Sequence, residues 1–387
     1  MVNAGSSSLK LRIVDPDGTV VASADRPRRG GTPVTQDLSA FVDASPPFDA
    51  AGHRIVHGGP DHVGPLLLDR RAEDDLDRLG DLAPLHNPPA IEAVRALRAL
   101  RPGPAQVACF DTAFHAGMPA EAATYAIPAE WTARWHLRRY GFHGLSHASA
   151  GRRAAALLGR PSDDLRLVTA HLGSGASLAA VAGGRSVDTT MGFTPLAGLV
   201  MATRAGDVDP GLVLWLVRHA GLTPEEVDEA LEGRSGLLGL SGVSGDLRLV
   251  LAAADGGDQP AALAYAVYVH RLRAGVAAMA AAMGGVDGVV FTGGAGEGSA
   301  RLRGDTCAGL GFLGVTVDEG ANQRAVGDRL ISPASSPVAV LVVEAREDLE
   351  IARQVRATLD AMAPGPPAGG ADPPAGGADP PAGVGST

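Results

Sequence analysis

The chain has 387 residues, 45% apolar and 20% charged, and a formal net charge of −10. That is enough apolar chain for two domains of ordinary size, and the acidic balance argues against nucleic acid or an anionic membrane as the main partner. Cys109 and Cys307 form neither a disulfide framework nor a metal spacing, no run approaches the ~18 apolar residues that span a bilayer, and without a leader-like opening the expected compartment is the cytoplasm.

The opening stretch, "MVNAGSSSLK", holds the chain's only lysine, Lys10, against 32 arginines, and one of its three asparagines, Asn3. It reads as the end of a buried strand with only Met1 and Val2 ahead of Asn3. "LKLRIVDPDGTVVASA" then reads as two strands joined by a hairpin turn at Asp15-Pro16-Asp17-Gly18. "PPAIEAVRALRAL" has the spacing of an amphipathic helix with proline near its start. "AQVACFDTAFH" is a short apolar strand that ends in polar residues. "LRLVTAHLGSGASLAAV" is strand, glycine-rich turn and strand. "DQPAALAYAVYVHRLRAGVAAMAAAM" predicts a long, mostly buried helix. "GVDGVVFTGGAGEGS" is a strand running into a third small-residue turn, and "PVAVLVVEAREDLEIARQVRATLDAM" is a strand that turns into a helix. The last segment, 364–387, repeats proline, alanine and glycine without apolar anchors, a composition that predicts disorder.

An apolar strand running into a small-residue turn and then a second strand occurs in "VNAGSSSLKLRIV" and again in "TAHLGSGASLAAV". The repetition predicts a duplicated α/β unit with the two turns facing each other across a cleft. Glycine and serine at strand ends let backbone N–H groups approach an anion closely, so three such turns point to a nucleotide. The familiar nucleotide folds do not fit. There is no G-x-x-x-x-G-K-[ST], no protein-kinase H-R-D or D-F-G set, and no dinucleotide fingerprint in a first βαβ unit.

The segments "NAGSSSLK", "GHRIVHGG", "LAPLHNPPAIEA", "FDTAFHAGMP", "RRYGFHGLSH", "HLGSGAS", "SVDTTMGFTPLAGLVMATRAGDVDP", "GLLGLSGVSGDLR" and "FTGGAGEG" follow one another in that order. The chain thereby resembles the acetokinase family, in the superfamily that also holds sugar kinases and actin, over nearly everything from residue 1 to about 360. The resemblance implies an α/β fold of two domains built on a duplicated ribonuclease-H-like core with a cleft between them. Residues 1–112 with about 349–363 would form the acyl-kinase domain, with a truncated first strand, and 113–348 the nucleotide-binding and dimerisation domain. It also implies reversible transfer of the γ-phosphoryl of ATP to acetate, with Mg²⁺ or Mn²⁺, ATP and ADP as co-substrates, by a homodimer.

Specific residues carry that implication. Two anions must meet at the reacting centre, so the site must neutralise and position charge, and arginine suits this by gripping carboxylate or phosphate at two points. Arg54 matches the family's substrate arginine and Arg204 its transition-state arginine. His143 matches the histidine that donates to the transferring phosphoryl, while His147 and His86 read as structural. Asp111, at the carboxyl end of its strand, matches the essential aspartate, and a general-base role is unneeded because acetate is ionised at neutral pH. Asn3 and Glu347 match the metal site, with Asp348 competing for the same assignment and Arg346 standing where the family has asparagine. The ATP site would draw on Lys10, His171, Gly173, Ser174 and Gly175, on Asp246, Leu247 and Arg248, and on Gly294, Ala295, Gly296, Glu297 and Gly298. Ser174 and Gly298 both replace asparagine, and Leu247 replaces an aromatic or methionine. Val56, Leu85, Phe142 and Pro195 match a small apolar acyl pocket. One methylene is worth only ~1–3 kcal/mol of discrimination, so propionate or butyrate stays open as the acid, as does a nucleotide-binding homologue of weakened catalysis. The family places several apolar residues ahead of this asparagine. Either the natural start lies upstream of Met1, or Asn3 sits on a stub of strand.

Overall fold

Two six-stranded sheets with the same strand order organise the chain, as the repeated strand–turn–strand pattern predicts. The computed structural model describes residues 1–5, 8–27, 34–80, 83 and 87–362. Leu85, His86 and the tail 364–387 lie outside the described residues. The first sheet contains β1 (Val2–Ala4), β2 (Ser8–Val14), β3 (Val20–Pro27), β4 (Ala50–Ile55), β5 (Leu66–Leu67) and β6 (Ala105–Phe110) in the order β3-β2-β1-β4-β6-β5. The second contains β7 (Arg166–Leu172), β8 (Ala176–Ala182), β9 (Arg185–Thr189), β10 (Gly288–Thr292), β11 (Arg329–Leu330) and β12 (Ala339–Val342) in the order β9-β8-β7-β10-β12-β11. The pairing directions match as well. β1 and β7 are antiparallel to the strand that follows them and parallel to β4 and β10 respectively, and those strands run parallel to β6 and β12.

The central strands are apolar on both faces because helices cover both. In β10, Val289 and Phe291 pack with Leu272 and Val276 of the 24-residue helix Gln259–Ala282, while Val290 packs the other way with Ala150 and Ala154 of helix Gly144–Leu158. The first sheet repeats this arrangement. Leu9 and Leu11 meet Leu38 of helix Val34–Ala44 and Leu97 of helix Asn87–Leu100. Val107 and Cys109 meet Ile351 and Val355 of helix Glu347–Met362, which returns to the first sheet after the second is complete. That helix fits because β4 carries Gly52 beneath it, where a Cβ would collide with Ile351 and Val355. The predicted hairpin forms between β2 and β3, with Gly18 at φ 92° and Asp15 Oδ1 accepting from the Thr19 N–H at 2.9 Å.

Two details qualify the reading from sequence. "GGAGEG" is a short helix, Gly293–Gly298, rather than an open turn. And β1 has three residues where its counterpart β7 has seven. Beside Met1, an apolar hollow of about 440 Å³ lies between Ile13–Val14 of β2 and Ala50–Gly52 of β4, with Leu38, Leu97 and Ile351 in its walls. Both cysteines are buried, and burial pushes each thiol up to about 12, which makes them unreactive.

Candidate active site

The ends of the parallel strands, Gly5 and Ser8 from the first sheet and the corner Gly173–Gly175 from the second converge on one polar cavity of about 570 Å³. Ligands in open α/β sheets bind beyond the carboxyl ends of the strands, and both sheets direct those ends here. Asn3, Lys10, Arg54, Val56, Asp111, Phe142, His143, His171, Gly173, Ser174, Gly175, Pro195, Arg204, Gly294 and Glu347 all line the cavity. Residues more than three hundred positions apart in sequence are thus neighbours in space.

One wall is a charge cluster from the first sheet. Arg54 leaves β4 and Asp111 follows β6, and the parallel pairing of Ile55 with Phe110 brings them side by side. Arg54 Nη2 donates to Asp111 Oδ2 at 2.5 Å, and its Nε lies 3.1 Å from both carboxylate oxygens. Its Nη1 reaches Asn3 Oδ1 at 3.3 Å, and Asn3 Nδ2 in turn donates to Glu347 Oε2 at 3.3 Å. Asp111 is 1% exposed. Burial pushes its carboxyl up from the ordinary value against the pull of Arg54, yet the grip on both oxygens is the one an ionised carboxylate accepts. Glu347 is also desolvated, but Arg54, His171 and Lys10 outweigh that and hold it below the usual range. Asp348, its rival in the sequence, is occupied differently, since Arg346 binds both its oxygens at 3.0 Å.

The opposite wall comes from the second sheet. His143 precedes helix Gly144–Leu158 and adopts φ 57°, one of two non-glycine residues in that region among those described. Such a backbone is costly for a residue with a Cβ and is held only where the surroundings enforce it. Gly144 donates to the Asp111 carbonyl at 2.9 Å, so this corner is fastened to the end of β6. Burial and the neighbouring His171 drive the His143 imidazole well below its ordinary value, which makes it neutral at neutral pH. Across from it, Arg204 lines the cavity, its Nε donating to Glu232 Oε2 at 2.8 Å and its Nη1 lying 3.9 Å from Met201 Sδ. A Cβ on Gly175 would lie 3.2 Å from His143 Nε2 and 3.5 Å from Arg204 Nη1. Glycine there brings backbone up between the two donors.

The remaining predicted nucleotide residues lie at other places. Asp246 caps helix Leu247–Asp255 and binds Arg248 through both oxygens, and Leu247 is packed into the second sheet's core. Glu297 Oε1 accepts from the backbone of Gly293 and Ala345 at 2.8 and 2.9 Å, pinning the end of β10 to the end of β12. Buried Arg303 binds the Gly296 and Glu297 carbonyls at 2.8 and 2.6 Å and so fixes the short glycine helix of Gly293–Gly298. Glu232, Ser177, Arg303 and Ser146, whose Oγ lies 2.7 Å from His171 Nδ1, were not singled out from the sequence. Each touches a site residue through a contact that the tertiary fold sets.

No cluster of three His, Cys, Asp or Glu side chains suited to a metal occurs among the described residues. The donors present suit Mg²⁺, which takes one or two protein oxygens and fills its shell with water and phosphate. Among the described residues no helix is long and apolar enough to cross a membrane.

The acetokinase family model matches residues 34–353. An acetate kinase of Clavibacter sepedonicus is 46% identical over 92% of this chain and 97% of its own length. The crystal structure of Porphyromonas gingivalis acetate kinase superposes with a TM-score of 0.85 at 35% identity, covering 92% of this chain and 98% of that one. A propionate kinase from Francisella tularensis gives a TM-score of 0.85 at 34% identity over the same shares. On the family match, the extent of these likenesses and the duplicated fold, the chain belongs to the acetokinase family.

Proposed function

We propose that this protein is an acetate kinase, transferring the γ-phosphoryl of ATP reversibly to acetate by direct in-line displacement. The observation that carries the reading is one cavity lined by Arg54 and Asp111 on one wall and by His143 and Arg204 on the other, the latter two flanking Gly175. Arg54 holds the acid's carboxylate beside an apolar end formed by Val56, Phe142 and Pro195, which suits a methyl group. His143, neutral, donates from Nε2 to the transferring phosphoryl. Arg204, steadied by Glu232, neutralises charge on its equatorial oxygens. Asp111 keeps Arg54 oriented and takes no proton in the reaction. The backbone of Gly173–Gly175 and Gly293–Gly294 and the Lys10 ammonium receive the nucleotide phosphates. Glu347 and Asn3 would hold a magnesium ion, which offsets phosphate charge when bound. Two domains meeting at this cleft, 1–112 with about 349–363 and 113–348, would supply the two walls.

A homodimer is the assembly we infer. Helix Pro210–His219 buries none of its residues and exposes Leu212, Leu214 and Trp215, the last two 50% and 54% accessible. An apolar face of that kind on a soluble chain marks a contact surface. Purified protein with ATP, Mg²⁺ and acetate should form acetyl phosphate. A panel of C2 to C4 acids against ATP and GTP tests the pocket, and a higher kcat/KM for butyrate than for acetate would overturn the acetate reading. The likeness to a propionate kinase makes propionate the second acid to expect. Nucleotide binding by calorimetry without turnover would refute the kinase itself.

A further inference from the structure

Behind His143 lies a line of buried polar groups that the transfer reaction does not itself use. His143 Nδ1 is 2.9 Å from Ser177 Oγ on β8. Ser177 Oγ is also 2.8 Å from Nε2 of His147, one helical turn on from His143. His147 Nδ1 is 2.8 Å from Thr169 Oγ1 on β7. Ser177, His147 and Thr169 are all fully buried. Each hydroxyl has one proton to give and each neutral imidazole one N–H, so only two orders place one proton in every contact and also leave no buried hydroxyl proton without an acceptor among these contacts.

In one order Thr169 donates to His147 Nδ1, His147 Nε2–H donates to Ser177, and Ser177 donates to His143 Nδ1. His143 then carries its proton on Nε2, on the side of Gly175 and Arg204. In the reverse order every donor turns round, Thr169 donates to the Ala179 carbonyl, and His143 presents a bare lone pair to the cavity. The reverse order gains only the Thr169–Ala179 contact, which at 3.5 Å is too long to contribute much. It also aims a lone pair at an anion. A neutral histidine can donate to a phosphoryl only in the first order.

We propose that Thr169, His147 and Ser177 form a directed hydrogen-bond line that holds His143 in the tautomer protonated at Nε2. The inference rests on the reading of His143 as the phosphoryl donor. His147 and Ser177 are positioning residues, acting through His143 and touching no substrate. The neighbouring His115 shows the same device with its polarity fixed. Its Nε2 lies 3.0 Å from the Phe142 carbonyl, which can only accept, so Nδ1 must receive the Ser186 hydroxyl 2.7 Å away.

Enzyme labelled with ¹⁵N-histidine and examined by long-range ¹H–¹⁵N correlation, with and without Mg·ADP, reports each tautomer, and His143→Gln identifies the resonance. The wild type should show His143 protonated at Nε2. Ser177→Ala should shift His143 toward the Nδ1-protonated form and lower kcat on the order of 10- to 100-fold, the scale of outer partners that orient a functional histidine, with KM for both substrates unchanged. Ser177→Thr should restore the spectrum and the rate. His147→Gln, which keeps a donor to Ser177, should behave like wild type where His147→Leu does not. An Nδ1-protonated His143 with Mg·ADP bound, or a Ser177→Ala spectrum identical to wild type, overturns the proposal. Full turnover by His143→Ala would instead overturn the donor reading, and the tautomer measurements would be judged separately.

Discussion

Acid should unfold this protein through its buried neutral histidines, and His115 gives the test. Its ring is wholly buried, and its two nitrogens are committed to the Phe142 carbonyl and the Ser186 hydroxyl. Desolvation lowers it to about 4 from an ordinary 6.5, with the Phe142 carbonyl offsetting part of that burial cost. A folded-state value below the unfolded one means that the unfolded chain binds the proton more readily. The stability contribution is therefore complete above about pH 6.5 and is lost as pH falls toward 4. Between 6.5 and about 4, at about 1.4 kcal/mol per pH unit, the loss reaches about 3 kcal/mol for this one residue. His57, whose Nδ1 accepts from the Gly59 N–H at 2.8 Å, is lowered to about 4 and adds a similar slope. The assay is urea unfolding at steps from pH 7.5 to 4.5 for wild type and His115→Gln. Glutamine can donate to Phe142 and accept from Ser186 without titrating, so its stability should fall less steeply below pH 6.5. Parallel curves for the two proteins would refute the argument that burial holds His115 neutral.

Three further outcomes follow from the same geometry. Arg54→Met should cost about 3 kcal/mol by stranding buried Asp111, Asp111→Leu should cost less because Glu347 Oε2 stays 3.8 Å from Arg54 Nε, and the double variant should cost less than the sum; additive losses by urea unfolding would mean that the pair is not coupled. Arg204→Ala should lower kcat on the order of 10³-fold while thermal unfolding moves little, because its partner Glu232 is a partly exposed carboxylate; an active variant would remove Arg204 from the site. Two or three apolar residues joined ahead of Met1 should enter the hollow between β2 and β4 and raise stability by about 2 kcal/mol, the excess of side-chain burial over backbone ordering. Unchanged stability in that extended chain would show that the hollow does not accept a strand.

Much of the fold was readable because periodicity and punctuation are local. The Asp-Pro-Asp-Gly turn, the apolar runs of β7, β10 and β12 and the long helix Gln259–Ala282 all carry their own signals. The glycine run 293–298 was harder. Its residues favour no regular structure, and it is helical because Arg303 and Glu297 hold its carbonyls and its first N–H. The charged site residues were found because a motif surrounds each. The groups that orient them were not. Glu232 lies 28 residues beyond Arg204 on a helix whose pattern is that of any solvated surface, and only the tertiary fold brings its carboxylate back. Ser177 looks like an ordinary strand residue, and its role comes from what β8 faces. Leu247 shows the converse. The resemblance places it in the nucleotide site, and its own helix packs it into the core.

On the proposed reading one cleft holds two anions, and the duplication supplies a surface for each. Equivalent points of the two sheets reach the same cavity, but with opposite chemistry. The end of β4 supplies Arg54, and the end of its counterpart β10 supplies Gly293. β2, the strand after β1, carries Lys10, the chain's one lysine, and the corner after β7 holds Gly173–Gly175. On the proposed reading, the first copy presents Arg54 to a small carboxylate and Lys10 to a phosphate, and the other presents bare backbone that a chain of phosphates can approach. β6 and β12 complete the exchange. Asp111 after β6 turns inward to fix Arg54, whereas Glu347, five residues beyond β12, turns across to Asn3 of the first sheet. A carboxylate and a triphosphate repel, so on the proposed reading Arg54 and the glycine backbone must be held at a set distance by something stiff. Two copies of one sheet, fastened by the Gly144–Asp111 bond and by the helix that returns from the second to the first, supply that separation.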